Sequence, residues 1–421
     1  MMISDQPPYD AYHEAFVWIW LPGEVGPVVA GKLVADDGQL AFTYGQSYLE
    51  RDNAIPIYNE ELPLRKGTQH PLNGLNMPGC IRDASPDAWG RRVIINKKLG
   101  IKGRAADAIE FDELTYLMES GSDRIGALDF QSSPIKYEPR LSMHATLEEL
   151  LEAAERVEKG IPLTPALDHA LHHGSSIGGA RPKALIESDD KKYIAKFSTS
   201  SDLYSVVKAE FIAMRLAKKV GLDVANVQLH QASHKDVLLV ERFDRSPVAN
   251  GWERKCMLSA LTLLGLDELM ARYASYEKLA EIIRHTFRNP KKTLREMFSR
   301  IVFNIFVGNT DDHARNHAAF WDGETLSLTP AYDICPQGRS GNEASQAMLI
   351  SGGNRMSKLS GCVDAAKFYL LSKPEALQIM DYQKNMIIDH WDTVCDEAQL
   401  SEVDRNFLWQ RQFLNPYIFE K

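Results

Sequence analysis

The stretch GNTDDHARNH, residues 308–317, places two carboxylates, two histidines, an arginine and two asparagines in ten positions. Two chemistries use such a cluster. His313 and His317 stand four apart, a spacing that offers two metal ligands from one helix face. Asp311 and Asn316 stand five apart, the spacing between the base and a magnesium ligand in a kinase catalytic loop. Asp312 competes with Asp311 for the role of base.

Phosphoryl transfer needs few further parts: a loop over the phosphates, a lysine on them, and oxygen ligands for magnesium. Each occurs in chain order. GSSIGGARPK (174–183) is a glycine-rich loop in which Gly178 and Gly179 let backbone N–H groups approach oxyanions. It matches neither GxGxxG nor the GxxxxGK[ST] phosphate loop. Lys196 follows within an apolar strand pattern, where a half-buried ammonium wants a partner. Phosphate oxygens would supply one, and a strand-edge lysine reaching solvent is the competing reading. Glu210 could brace Lys196, although glutamates on helix surfaces are ordinary. VERFDR (240–245) leaves a strand where a hinge between lobes would meet an adenine edge through the backbone of Glu241, Arg242 and Phe243. Asp333 lies beyond Asn316 in LTPAYDI and suits magnesium, a hard cation. His313 and His317 show no evident third ligand and no HExxH glutamate, so the zinc reading weakens. His317 reads as structural, and His313 as lying near the phosphates or bracing the loop.

These residues need elements to position them. KALIES and KKYIAKFS read as two strands joined by a turn at Asp189-Asp190. VVKAEFIAMRLAKKVG repeats Val207, Phe211 and Met214 along one face and stops at Gly221, as an amphipathic helix does. TLREMFSRIVFNIFVG carries a broad apolar stripe and predicts a buried helix ending at Gly308. AAFWDGETLSLTPAYDI reads as a hairpin turning at Asp322-Gly323 and ending in Asp333. Nearer the start, KLVADDGQLAFTY reads as a hairpin around Asp36-Asp37-Gly38. SPDAWGRRVIINKKLG reads as a helix with Ser85 as N-cap and Pro86 in its first turn. Thr146 opens a second capped helix.

Composition bounds the rest. The chain has 421 residues, 44% of them hydrophobic and 25% charged, enough for two or three domains with a large core. No apolar run reaches membrane-spanning length, and the first residues lack the basic-then-apolar order of a signal peptide. Five scattered cysteines without a CxxC pair argue for reduced thiols and a cytoplasmic protein. A net charge of -9 disfavours nucleic-acid binding by this chain alone. Two segments, 90–104 and 288–300, are basic against that background. They read as solvated helix faces, or else as patches facing phosphates or an acidic partner.

The ordered set of glycine-rich loop, Lys196, Asp311, Asn316 and Asp333 is far more specific than any one piece. The chain resembles the HipA-type serine/threonine kinases, the toxin halves of bacterial toxin–antitoxin pairs. The resemblance rests on RDASPDAWGRRVI and ESGSDRIGAL in the first part. It continues through SSIGGARPKALI, YIAKFS, AEFIAMRLAKKVGLDV, LLVERFDR, GNTDDHARNHAAF and LTPAYDI. It implies an α+β, two-lobed, protein-kinase-like fold with an α/β N-terminal region and a mainly helical C-terminal lobe. The expected divisions are a HipA N-terminal-like domain at 1–140, a kinase N-lobe at 141–250 and a helical C-lobe at 251–421. It implies ATP and Mg2+ as cofactors, Asp311 as the catalytic Asp, Asn316 and Asp333 as metal ligands, and Lys196 on the ATP phosphates. Ser176, Ile177, Gly178, Gly179 and Ala180 would cover ATP, with His313 nearby, and Glu241, Arg242 and Phe243 would mark the adenine hinge. Ser176 aligns with the serine that such kinases autophosphorylate. Implied partners are a HipB-like helix-turn-helix antitoxin, operator DNA reached mainly through it, and a translation protein such as an aminoacyl-tRNA synthetase as substrate. The rivals are a lipid or small-molecule kinase of the same fold and a non-catalytic binding subunit.

Overall fold

The hairpin read around Asp36-Asp37-Gly38 forms within a five-stranded antiparallel sheet. The computed structural model describes residues 12–99, 109–140, 145–158, 161, 164, 167, 181–188, 190–199, 202–339 and 341–420. In it β2 (Val28–Asp36) meets β3 (Gln39–Tyr44), closed by the Asp36–Gln39 pair. Asp37 and Gly38 both take positive φ, 44° and 76°, the turn that matches strand twist. β1 (Glu14–Ile19), β4 (Thr68–Gln69) and β5 (Leu128–Gln131) complete the sheet in the order β4-β3-β2-β1-β5.

This sheet belongs to the first of two compact units, which comprises Met1–Leu185 and Ser246–Cys256. Beside it the helix α1 (Ala88–Leu99) starts later than the sequence suggests. Ser85 does not cap it, because its hydroxyl bonds Glu113 Oε2 at 3.2 Å; the first helical amide, Arg91 N–H, reaches Asp87 O at 2.9 Å. The helix buries Trp89, Val93, Ile94 and Ile95. Two cations of its basic stretch are paired within the unit. Arg91 meets Glu113 at 2.7 Å and Lys98 meets Glu119 at 2.6 Å, both on or beside α2 (Glu113–Glu119). Arg124 is wholly buried, bonded to Asp129 Oδ1 at 2.9 Å and to Ala84 O at 3.0 Å. A buried guanidinium so satisfied ties the sheet to the chain before α1. Thr146 caps α3 (Leu147–Glu158) through reciprocal bonds with Glu149, at 3.2 and 2.9 Å.

The second unit comprises Ile186–Arg245 and Met257–Lys421. Strand β6 (Lys183–Glu187) leads into a sheet with β7 (Lys192–Phe197), β8 (Val227–Ala232) and β9 (Lys235–Glu241), in the order β6-β7-β9-β8. Along β7, Tyr193, Ala195 and Phe197 are buried, so the period of two puts Lys196 on the other face. The helix α4 (Val206–Lys219) buries Val207, Phe211 and Met214 as its periodicity requires, and Gly221 follows at φ 84°.

The remainder of this unit is mainly helical. Ser275 caps α5 (Tyr276–Thr286), its side chain accepting from Lys278 N. The anticipated buried helix is α6 (Pro290–Phe306), with Leu294, Met297, Phe298, Ile301, Val302, Ile305 and Phe306 all inside. Phe303, Arg300 and Asn304 are buried too, so the helix is enclosed nearly all round. Gly308 ends it at φ 69°. A hairpin of β10 (Ala318–Trp321) and β11 (Leu326–Leu328) follows the loop, and α7 (Lys373–Glu397) starts at a Ser372–Glu375 capping box. Asp333 does not end the hairpin strand as the pattern suggests. The strand stops at Leu328, Ala331 forms a parallel bridge with Val224, and Asp333 lies outside any strand at φ 58°.

Candidate active site

Lys196 projects from the polar face of β7 and meets two carboxylates. Its Nζ lies 2.5 Å from Glu210 Oε1 on α4 and forms an ion pair with Asp333 Oδ1, 137 residues further along the chain. The side chains of Lys196 and Glu210 are 12% and 4% exposed, whereas that of Asp333 is 41% exposed. Burial alone would lower the ammonium's pKa. The charges of Asp333 and Glu210 outweigh it and hold Lys196 well above its ordinary value. The lysine is therefore charged and buried against one enclosed partner and one open one. Glu210 counts for more than a surface glutamate. It stands three residues after Val207 and one before Phe211, so helical period alone puts it on the buried stripe.

The two adjacent carboxylates of the loop have opposite environments. Asp312 is 2% exposed, and its Oδ2 accepts bonds from Tyr276 Oη, from Asn304 Nδ2 at 2.7 Å and from His317 Nε2 at 3.0 Å. Those lone pairs are taken, so Asp312 is poorly placed to accept a proton from a substrate. Asp311 is exposed. Desolvation by the surrounding protein, together with the charges of Asp333 and Asp312, pushes its carboxyl pKa above the ordinary value, against an opposing pull from His313. Asn316 closes a 3-10 turn, Ala314–Asn316, and its Nδ2 reaches Asp311 O at 3.3 Å. His313 donates its backbone N–H to Asp311 O at 2.8 Å. His317 is held against Asp312, edge-on to the Tyr276 ring at 5.6 Å, in a structural role.

At the expected hinge, Glu241 N–H donates to Asn226 O at 2.9 Å and Arg242 N–H to Lys192 O at 2.8 Å. Glu241 Oε2 pairs with Lys191 Nζ at 2.9 Å. Arg242 turns inward, with Nη2 2.8 Å from Asp244 Oδ2. Phe243 packs on Phe320 and on Tyr332, with ring centroids 6.0 and 5.5 Å apart, which joins the hinge to the residue before Asp333. Ser176, Ile177, Gly178, Gly179 and Ala180 lie outside the described residues, as does the turn residue Asp189.

The expected ligands would suit a hard cation. Asn316 and Asp333 offer oxygen, and among the described residues no group of three or more His, Cys, Asp or Glu side chains could hold a metal by itself. Magnesium commonly takes one or two carboxylates and completes its shell with phosphate oxygens and water. Among the described residues no helix is long and apolar enough to cross a membrane.

Comparison with known proteins gives the family. The family profile of the HipA-like C-terminal domain matches residues 175–396, more than half of the chain, and that of the HipA N-terminal domain matches residues 20–131. A Sinorhizobium fredii protein named "Putative kinase Y4mE" is 25% identical over 75% of this chain and 76% of its own length. The "Serine/threonine-protein kinase toxin HipA" of Shewanella oneidensis is 28% identical over 38% of this chain and 42% of its own length. A solved Shewanella oneidensis HipA, in complex with HipB and operator DNA, superposes with a TM-score of 0.67 at 18% identity. That match covers 96% of this chain and 99% of the other, and it gives the fold as α+β and kinase-like. The chain belongs to the HipA family.

Proposed function

We propose that this chain is an ATP- and magnesium-dependent serine/threonine protein kinase acting as the toxin of a toxin–antitoxin pair. The observation that carries the reading is the meeting of Lys196, Glu210 and Asp333, next to a loop that turns Asp311 outward. Its residues divide the work. Lys196, kept charged, holds phosphate oxygens of ATP. Asn316 and Asp333 hold magnesium, which when bound neutralises phosphate charge. Asp311 orients a serine or threonine hydroxyl and accepts its proton as the oxygen attacks the γ-phosphorus and the bond to the ADP oxygen breaks. Phe243 flanks the adenine, with Glu241 and Arg242 supplying hinge backbone. The amides of the last two already donate within the protein, so the adenine edge falls to other backbone atoms there.

The finer expectations belong to the same proposal. Substrate would be a translation protein such as an aminoacyl-tRNA synthetase. Ser176 in the glycine-rich loop would be phosphorylated by another molecule of the kinase, adding about -1.5 to -2 charges beside the nucleotide phosphates and expelling the loop. A HipB-like antitoxin would bind this chain and carry it to operator DNA, just as HipB and operator DNA accompany HipA in the superposed Shewanella oneidensis complex. Intact-mass measurement after incubation with magnesium and ATP tests the core reading, and a gain of about 80 Da per phosphate, the mass of HPO3, is the expected result. Site mapping then places the phosphate within residues 174–180 or rejects the loop switch. A phosphorylated lipid or metabolite in place of protein would favour a small-molecule kinase.

A further inference from the structure

Asp312 has no part in the transfer described above, yet three side chains from separate elements bond to it. Tyr276 is the first residue of α5, Asn304 lies in the last turn of α6, and His317 directly precedes β10. All three send their donors to one atom, Asp312 Oδ2. Asn304 also holds the other end of the loop, since its Oδ1 accepts from Asn309 Nδ2 at 3.0 Å and its carbonyl from Asn309 N–H at 2.9 Å. One asparagine thus fixes residues 309 and 312 together, and Asp311 lies between them. A buried carboxylate without such donors would be costly, so the network is stable only with the loop in this turn.

We propose that Asp312 is a positioning residue: tied to Tyr276, Asn304 and His317, it anchors the loop so that neighbouring Asp311 faces the substrate. The proposal rests on the kinase reading for its catalytic consequence, but not for the anchoring itself. Displacement of a reacting group by an ångström costs about a hundredfold in rate, so slackening the anchor should show in turnover rather than in nucleotide affinity.

Asp312→Ala, Asp312→Asn and Tyr276→Phe are compared with wild type for kcat, ATP Kd and amide hydrogen exchange. Asp312→Asn keeps an acceptor oxygen, and Tyr276→Phe removes one donor, so both serve if the alanine variant fails to fold. Asp312→Ala is expected to lower kcat by about 10- to 100-fold with ATP Kd within about threefold, and the other two less in the same direction. In an Asp311→Asn background the Asp312 substitution should change residual transfer by less than about threefold, because the two act as one unit. Wild-type kcat in the Asp312 variants, or an undiminished cost in that background, overturns the proposal while the kinase reading stands. If wild type itself transfers no phosphate, the kinase reading fails and exchange decides the anchor. Faster exchange confined to residues 309–317 in the variants supports it; wild-type protection there overturns it.

Discussion

Lys196 and Asp333, far apart in sequence, share an ion pair in which the lysine is enclosed and the aspartate keeps nearly half its side chain open. Glu210, on the other side of the same ammonium, is enclosed with it. The asymmetry has a consequence for ligand binding. In the proposed kinase Asp333 would turn towards a cation from solvent while Glu210 continues to neutralise Lys196. Its backbone at φ 58° is an uncommon state for a non-glycine residue, and it aims the side chain at the lysine only because the flanking chain is held. Ala331 N–H bonds Asp223 O at 2.8 Å and Tyr332 Oη bonds Arg315 O at 2.6 Å, which supply that hold.

Replacing the lysine should therefore cost stability as well as activity. Lys196→Met removes the ammonium that the buried Glu210 and Asp333 face and is expected to destabilise the fold by about 3 kcal/mol in denaturant unfolding. Glu210→Gln added to it should recover part of that loss. The sign with pH follows from the raised lysine pKa. Its stabilisation is fully present below about pH 10.4, the ordinary lysine value, and is lost only as pH rises beyond it towards the folded value. The lysine's own contribution in the wild type should therefore stay flat from about pH 6 to 9, and a slope in the Lys196→Met difference there reports Glu210 taking up a proton in the variant. A difference that vanishes at neutral pH would show that the trio is not ionised as described.

Asp311→Asn should retain ATP binding and lose phosphoryl transfer by at least about a hundredfold, since the lost group acts on the transition state. Asp333→Asn should weaken magnesium-dependent ATP binding as well. Nucleotide titrations with and without magnesium, beside single-turnover transfer, separate the two. Wild-type turnover in the Asp311→Asn protein would remove the proposed base, and the buried Asp312 offers no ready substitute.

Much of this is legible in the sequence because it is local. The period of β7 sets Lys196 apart from Tyr193, Ala195 and Phe197, and the stripe on α6 announces a buried helix. Gly308 marks its end. What the pattern leaves open is tertiary. Asp311 and Asp312 are chemically identical neighbours, and only the donors arriving from Tyr276 and Asn304 make one a buried anchor and the other an exposed carboxylate. Ser85 has the type and place of an N-cap and instead bonds Glu113, a partner 28 residues away. The hairpin reading carries the strand to Asp333, whereas Pro330 lies in the way and cannot donate to a ladder.

The helix end at Gly308 gives a test independent of any ligand. A Cβ there would stand 2.6 Å from Gln412 O, and φ 69° disfavours side chains in any case. Gly308→Ala is expected to lose about 3 kcal/mol from the left-handed backbone and the clash together. Because Gly308 O also accepts from Gln337 N–H at 3.0 Å, the strain falls on the segment after Asp333 as well. An unchanged thermal midpoint would contradict the close approach of the two segments.

The last expectation concerns the protonation of Asp311. Desolvation raises its pKa, and the charges of Asp333 and Asp312 add to the rise, while His313 opposes it. A base must be deprotonated to accept the substrate proton, so transfer should fall as pH drops through a value above about 3.9, the ordinary aspartate pKa. Asp333→Asn removes one of the negative charges and should move the Asp311 pKa down. It also leaves more of the Lys196 charge unneutralised, which acts in the same direction. Carboxyl carbon NMR on the nucleotide-free protein reads the titration without the phosphates of ATP, which ionise in a nearby range. A downward shift of the Asp311 midpoint in Asp333→Asn is the expected result. An unmoved midpoint would mean that the two carboxylates do not sense each other, and Asp311 and Asp333 could then hardly serve one phosphoryl group.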